Sequence, residues 1–304
     1  MLRRIVDYLV YLAVRVAVCA VQAVPLSACR SVAAALATLS CDVLRLRRGV
    51  IEENLAIAFG ELSPAERRRM AWRMWEHLFL MVAEIAHAPR KLRRSTWRRY
   101  IRVRDLSGVV GTLLLRRPKV IVAGHYGNFE LSGYVVGLLG FPTFTVARTL
   151  DNPHLDRWIN GFRSATGQYM LSKHGSSADI DRLLEAGASL TVLGDQAAGP
   201  KGCWVDFFGR PASTHKAVAV FALANDAPLI VGYARRIGGP LEYEVGFEAV
   251  LDPCEVSPAE ATVPAITLWY SQQLETIIRQ APEQYWWVHR RWKGEPPRRK
   301  RRAA

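Results

Sequence analysis

The sequence has little cysteine and no pattern in what it has. Cys19, Cys29, Cys41, Cys203 and Cys254 are odd in number, widely spaced and never arranged as CxxC, which argues against a disulfide framework and a zinc site. That usage fits a reducing, cytoplasm-facing protein. No GxSxG elbow occurs and Cys203 lacks a local signature, so an enzyme-bound acyl intermediate has no evident carrier. HExxH is missing too, which disfavours a metallohydrolase with two histidines on one helix face. There is no internal repeat, and low complexity is confined to the tail KGEPPRRKRRAA. Acid is the scarcer charge: 27 Asp and Glu face 41 Lys and Arg, a formal +14 over 304 residues. A surplus of that size seeks an anionic partner, and nucleic acid, an anionic membrane surface and a phosphorylated small molecule all qualify.

What is present begins with an apolar N-terminus. After MLRR, the run from about Tyr8 to Pro25 is only just long enough to cross the hydrocarbon core of a bilayer. Arg15 in its middle leaves two membrane readings, an interfacial helix or a tilted, snorkelling span. A helix buried in the protein's own core is the bland alternative. A cleaved signal peptide is disfavoured, because apolar character resumes in SVAAALATLSCDVL without a cleavage signal. Arg3 and Arg4 would hold the N-terminus of an inserted segment on the cytoplasmic side.

Residues 50 to 88 read as helices, with Ser63 and Pro64 as N-cap and first helical position of PAERRRMAWRMWEHLFLMVAEIAH. From Pro118 short apolar runs alternate with helical stretches: KVIVAGH, FELSGYVVGLLG, PTFTVA, NPHLDRWINGFRSATG, QYMLS, SADIDRLLEAG, SLTVLGD, then APLIVGYARR and LEYEVGFEAVL, closed by a helix at 258 to 279. The expectation is an α/β fold with a largely parallel central sheet flanked by helices. The expected division is an anchor helix at 1–28, a helical preface at 29–103, the α/β domain at 104–293 and a disordered basic tail at 294–304.

In such sheets ligands gather beyond the carboxyl ends of the strands. One strand ends at His125, a second at Arg148, and a third at Gly194, Asp195 and Gln196, so a base, a cation and a carboxylate with an amide should meet at one rim. In VIVAGHYGNFELSGYVVGLLG, Gly127 and Asn128 can turn the chain, Asn128 can cap the next helix, and Glu130 falls in its first turn, within reach of His125. A carboxylate on one ring nitrogen would fix the histidine tautomer and leave the other nitrogen to take a proton near neutrality. The bland reading gives Glu130 only the helix dipole and His125 only a buried turn. With no protein nucleophile in view, His125 would deprotonate an acceptor hydroxyl that attacks an activated acyl group directly.

The HxxxxE box resembles the HxxxxD/E motif of membrane-bound glycerolipid acyltransferases. Further segments narrow the likeness: NLAIAFGELSPAERRRM, ARTLDNPHLDRWINGFRSATG, GDQAAGPKGCWVDFFGRPASTHKAVAVFALANDAPLI and APEQYWWVHRRWK. In order and spacing they resemble the late acyltransferases of lipid A biosynthesis, the lauroyl and myristoyl transferases, and relatives that acylate phosphatidylinositol mannosides. The resemblance runs from about residue 5 to 293 and implies a glycerol-3-phosphate acyltransferase-like fold. It matches His125 to the general base and Glu130 to its carboxylate partner, with Glu where some relatives have Asp. Arg148 matches a position associated with the phosphorylated acceptor, and Asp195 and Gln196 are expected to line the site. Asp206 varies among relatives and is the other acidic residue that could contact the histidine. Arg210 and Thr214 are candidates for the donor or acceptor phosphate; Thr214 is equally the N-cap of HKAVAVFALAN.

The resemblance also implies acyl carrier protein or coenzyme A thioesters as donor substrates, no cofactor or metal, an anionic membrane glycolipid as acceptor, and a cytoplasmic-face inner-membrane location with an N-terminal anchor. Arginines near the site suit phosphates, and one face of LSGYVVGLLG suits an acyl chain, although most of that helix reads as core. Backbone N–H groups at the start of the helix after Gly127 are candidates for the oxyanion hole. A monomer or weak oligomer is expected. His77, His87, His154 and His174 read as surface or core filler. YWWVHRRWK reads as an interfacial anchor or a closing strand rather than a nucleic-acid platform. Three alternatives remain: a phosphatidylinositol mannoside-type or other phospholipid acyltransferase, an acyl thioesterase with water as acceptor, and a non-catalytic basic protein that binds membrane or nucleic acid.

Overall fold

The computed structural model describes residues 2–172 and 177–297; His174 and the tail from 298 onward, with the expectations that fall on them, lie outside these. Two apolar helices come first. The first, α1 (Leu2–Ala23), stops ahead of Pro25, and α2 (Leu26–Thr38) runs on into a π-helical turn at Leu39–Val43. After α3 (Arg48–Ala58), α4 (Pro64–Lys91) starts where expected: Glu66 donates its backbone N–H to the Ser63 hydroxyl and its carboxylate accepts from Ser63 N–H at 2.8 Å. That reciprocal cap satisfies two donors that a helix start leaves orphaned. Met74, His77, Leu80, Met81, Glu84 and Ala88 repeat at three- and four-residue spacing and form the buried face of α4.

The sheet begins earlier than expected. A three-residue strand, β1 (Ile101–Val103), pairs with β9, so a boundary at 104 would cut it off from its sheet. There follow α5 (Leu106–Leu113), β2 (Lys119–Ala123), α6 (Phe129–Leu138), β3 (Thr143–Ala147), α7 (Pro153–Ser164), β4 (Gln168–Ser172), α8 (Ser177–Glu185) and β5 (Ser189–Leu193). A hairpin of β6 (Cys203–Phe207) and β7 (Arg210–Thr214) stands apart, before α9 (Ala217–Ala224), β8 (Leu229–Arg236), β9 (Tyr243–Leu251) and α10 (Val263–Gln280). The closing helix thus begins at 263 rather than 258, capped by the Thr262 hydroxyl.

The main sheet has the order β1-β9-β8-β2-β5-β3-β4. Every neighbouring pair is parallel except β8 and β9, which makes the fold α/β with a largely parallel sheet. Strand β2 is buried along its whole length, as a central strand covered by helices on both faces must be. Val120, Val122, Leu229 and Val231 pack on Tyr270, Leu274, Ile277 and Ile278 of α10. Leu131 and Val135 of α6 pack with Ala234, Tyr243 and Val245. Burial of each large aliphatic side chain is worth about 1.5–3 kcal/mol.

The segment after α10 is a closing element. Tyr285 bridges to Tyr126, Trp287 and Trp292 are 1% and 6% exposed, and their indoles donate to Pro282 and Phe207 carbonyls. Tryptophans so placed are core, not anchors in a headgroup layer. Arg291, 2% exposed, donates to the Ser213 carbonyl and the Thr214 hydroxyl.

Candidate active site

The register of two adjacent strands builds the site. Ala123 of β2 lies opposite Leu193 of β5 and accepts from Gly194 N–H, so the residues two positions beyond each, His125 and Asp195, emerge side by side. Asp195 takes both available donors of the histidine. Its Oδ1 is 2.8 Å from Nδ1 and its Oδ2 accepts the His125 backbone N–H at 2.8 Å. The carboxylate is 2% exposed and the imidazole 12%. With Nδ1–H committed to Asp195, Nε2 is the acceptor, and the Gln196 amide nitrogen sits 3.4 Å from it. Trp286 stacks on the ring with centroids 4.9 Å apart and Phe129 meets it edge-on at 5.0 Å, which fixes the plane of the imidazole.

This arrangement corrects the expected pairing. The hydrogen-bond partner of His125 is Asp195, neither Glu130 nor Asp206. Asn128 caps α6 through Leu131 N–H as expected. That start turns Glu130 toward α7, where its carboxylate accepts from Arg163 Nε at 2.9 Å in a pair only 19% exposed on each side. Glu130 still acts on His125 through its charge. Asp206 lies exposed on β6 opposite Pro211, and its charge is felt by Glu275 of α10.

Burial works against a charged imidazolium at His125. The Asp195 carboxylate, by charge and hydrogen bond, and then Glu130 by charge outweigh it, and the group lies above its ordinary value. Burial likewise pushes the Asp195 carboxyl up, but the His125 charge and the ring and backbone N–H donors prevail and hold it below the usual carboxylate range.

The turn that carries His125 is held from behind. Gly127 has φ +58, and a Cβ there would stand 1.8 Å from the Ala234 carbonyl oxygen, so only glycine fits. Gly127 N–H donates to Gln284 and Asn128 N–H to Ala234. These two N–H groups are therefore spent, and the N–H groups at the helix start, the expected oxyanion donors, are those of Phe129 and Glu130, where no intrahelical acceptor exists. The Gly127 carbonyl accepts from His77 Nε2 at 3.0 Å, and His77 Nδ1 accepts from Arg236 at 2.7 Å. Arg236 grips Glu84 through Nε at 3.1 Å and Nη2 at 2.7 Å, and Glu84 also accepts from Leu241 N–H and the Tyr243 hydroxyl. His77 is thus a brace rather than filler. His87 donates to the Val21 carbonyl, and the His154 ring packs on Tyr8 and Tyr11.

Beneath α6, next to the Glu130 and Arg163 pair, lies a cavity of about 90 Å³ between the helix and the sheet. Phe129, Val136, Ile121, Ala123, Leu193 and Phe247 give it apolar walls, while Leu131, Tyr134 and Val135 on the other side of α6 are core. Arg148 is exposed at the rim and paired with Asp151 at 3.0 Å. Arg210 is exposed at the start of β7. Thr214 is 1% exposed, ends β7 and is held by Arg291, while α9 starts after Lys216; it does not cap that helix. Trp286 and His289, whose Nε2 accepts from Ala197 N–H at 3.2 Å, belong to the site's surround. The motif APEQYWWVHRRWK marked their segment, but nothing local showed that it folds over His125. Among the described residues no group of three or more His, Cys, Asp or Glu side chains is gathered that could hold a metal ion.

Comparisons with known proteins identify the family. The lipid A biosynthesis lauroyltransferase of Escherichia coli (strain K12) is 26% identical over 268 residues, 86% of this chain and 84% of its own length. The lipid A biosynthesis palmitoleoyltransferase of the same strain is 26% identical over 260 residues, 83% and 81% of the two chains. Among solved structures, the 1-acyl-sn-glycerophosphate acyltransferase PlsC of Thermotoga maritima aligns with 84% of this chain and 99% of its own, at 12% identity and a TM-score of 0.40. The family model for the bacterial lipid A biosynthesis acyltransferase matches residues 1–294. This protein belongs to that family and is an acyltransferase.

Proposed function

We propose that the protein moves a fatty acyl chain from a thioester of acyl carrier protein or coenzyme A to a hydroxyl of a lipid A precursor, at the cytoplasmic face of the inner membrane, with His125 as general base. The observation that carries this reading is the buried Asp195 beside His125, which commits Nδ1–H and leaves Nε2 free to accept a proton. The acceptor hydroxyl loses its proton to Nε2 as its oxygen bonds to the thioester carbonyl carbon. The tetrahedral intermediate then expels the thiolate, which takes the proton back from the imidazolium, leaving an ester and a free thiol. The Gln196 amide swings from Nε2 to make room for the hydroxyl. The cavity under α6 takes part of the acyl chain, and the Glu130 and Arg163 pair borders it. Arg148 and Arg210 meet the phosphates of the acceptor or donor, a reading that their exposure supports.

His125→Ala should lower acyl transfer by at least about 10²- to 10⁴-fold, as loss of a general base does, while the thermal unfolding midpoint stays near that of the parent. Unchanged transfer in that variant overturns the role. With labelled acyl thioester, ester formation on added lipid A precursor supports transfer; free fatty acid as the main product would make water the acceptor.

A further inference from the structure

The first helix raises a question that length alone leaves open, because 22 residues at about 1.5 Å each match the roughly 30 Å hydrocarbon thickness. Its contacts decide differently. Near its start, the Asp7 carbonyl accepts from Asn152 Nδ2 at 2.7 Å. Beside it and one turn on, the Tyr8 and Tyr11 rings lie against His154, and two turns on the Arg15 guanidinium lies over Trp158, 5.5 Å from the ring centroid. At its end, Gln22 Nε2 donates to the Ala86 carbonyl at 2.6 Å, and His87 donates to the Val21 carbonyl at 3.0 Å. Both ends of α1 are therefore bonded to α4 and α7, helices of the body that carries the site; α7 itself supplies Arg163. A crossing α1 would drag the polar rim of that body, including Arg90, Lys91, Asp151 and Asp156, into hydrocarbon at a cost of several kcal/mol for each charge.

Among the described residues, the opposite face of α1 has no partner. Leu2, Ile5, Val6, Leu9 and Val16 are between 48% and 77% exposed. Val32, Leu36, Leu39 and Val43 of α2 and its π-helical turn are also exposed, and both helices rest on α4. Arg3 and Arg4 at one end, and Arg45, Arg47 and Arg48 after the π-helical turn, stand exposed beside these aliphatics. Aliphatic side chains flanked by arginines suit acyl chains below anionic headgroups. We infer that the protein docks in the plane of the membrane: α1 and α2 lie half-immersed in one anionic leaflet, and α1 does not cross. Arg15 is turned to Tyr11 and Trp158, which is why an arginine in mid-helix is no obstacle. The inference rests on the membrane association proposed above and on none of its chemistry.

The test uses the full chain with its five cysteines replaced by serine and single cysteines returned as Ile5→Cys, Leu9→Cys, Leu12→Cys or Val16→Cys, each carrying an environment-sensitive dye. Variants are accepted when their unfolding midpoint matches the parent, and are added to vesicles of phosphatidylethanolamine and phosphatidylglycerol containing shallow or deep lipid quenchers. Docking in the plane gives the same shallow depth at all four positions. A depth that passes through the bilayer centre along the series overturns it. No binding to vesicles, with dimerisation in solution instead, removes the membrane association itself, a separate failure. Vesicles without phosphatidylglycerol should bind several-fold more weakly; equal binding would overturn the part assigned to the arginines.

Discussion

Two buried carboxylates in this protein are each tied to a histidine, and the two histidines end in opposite states. Asp195, 2% exposed, bonds His125 directly, and the group lies above its ordinary value. Glu84, 0% exposed, reaches His77 only through Arg236. Burial first, and then the Arg236 charge, push His77 down to about 3. A carboxylate against the imidazole prepares it to hold a proton; a guanidinium between the two keeps it neutral. One cluster is thereby fitted for proton transfer, the other for holding the turn at Gly127 in place. The lesson is that a buried histidine near a carboxylate is not yet a base; the sign of the group touching its ring decides.

The sharpest way to break this contrast is Asp195→Asn. The variant keeps the shape and loses the charge, and transfer should fall by up to about 10⁴-fold, the loss seen when the orienting carboxylate of a catalytic histidine is neutralised. Because His125 must be neutral to act, the parent's activity rises with pH through a value above 6.5, where the raised group titrates. In the variant the acidic limb of kcat/KM should move to lower pH. A limb that stays in place would mean that Asp195 does not set the state of His125.

Next in size is Glu84→Ala, an effect on stability rather than chemistry. Arg236, Leu241 N–H and the Tyr243 hydroxyl would lose their acceptor, and breaking a buried pair costs about 3–5 kcal/mol, readable in urea unfolding. A cost below about 1 kcal/mol would put Glu84 on the same footing as a surface pair.

Much of the site was legible before the fold was known, and the part that was not has a common cause. Apolar runs of five residues ending at His125, Arg148 and Asp195 announced strands and their carboxyl ends, because β periodicity is local. The partner of His125 was not local. It lies 70 positions away, and only the pairing of β2 with β5 puts it alongside. Glu130 looked nearer because it is near in sequence, yet a helix that starts at Phe129 aims its second residue at α7. The missed strands lack an apolar run: β1 has three residues, and β6 and β7, five residues each, form a hairpin carrying Asp206, Arg210 and Pro211. YWWVHRRWK has the composition of a membrane-facing segment, and only the fold shows its Trp287, Arg291 and Trp292 buried.

Glu130→Gln sharpens the contrast by separating position from charge. Losing the ion pair with Arg163 should lower kcat/KM roughly 10- to 100-fold through misplacement at the cavity mouth. The acidic limb should move down by much less than in Asp195→Asn, since Glu130 is the smallest of the causes raising His125. Equal shifts in the two variants would make Glu130 an electrical equal of Asp195.

The smallest effect on rate is expected at His77, and it tests the other side of the comparison. The His77 ring takes no part in proton transfer, so His77→Gln, which still offers a donor to Gly127 and an acceptor to Arg236, should keep transfer within a few-fold of the parent. His77→Phe removes both and leaves the buried Gly127 carbonyl unpaired, a loss of about 1–3 kcal/mol in stability, with kcat down roughly tenfold. Neither variant should move the acidic limb of the activity profile, which belongs to His125. The stability profile should respond instead. The folded state holds His77 neutral down to about pH 3, whereas the unfolded chain protonates it below about 6.5. The unfolded state thus binds the extra proton, and stability is lost as pH falls from about 6.5 toward 3. His77→Gln removes that group and should flatten the fall; a parent and a variant that lose stability in parallel over this window would show that His77 takes up its proton while folded, as a solvent-facing histidine does.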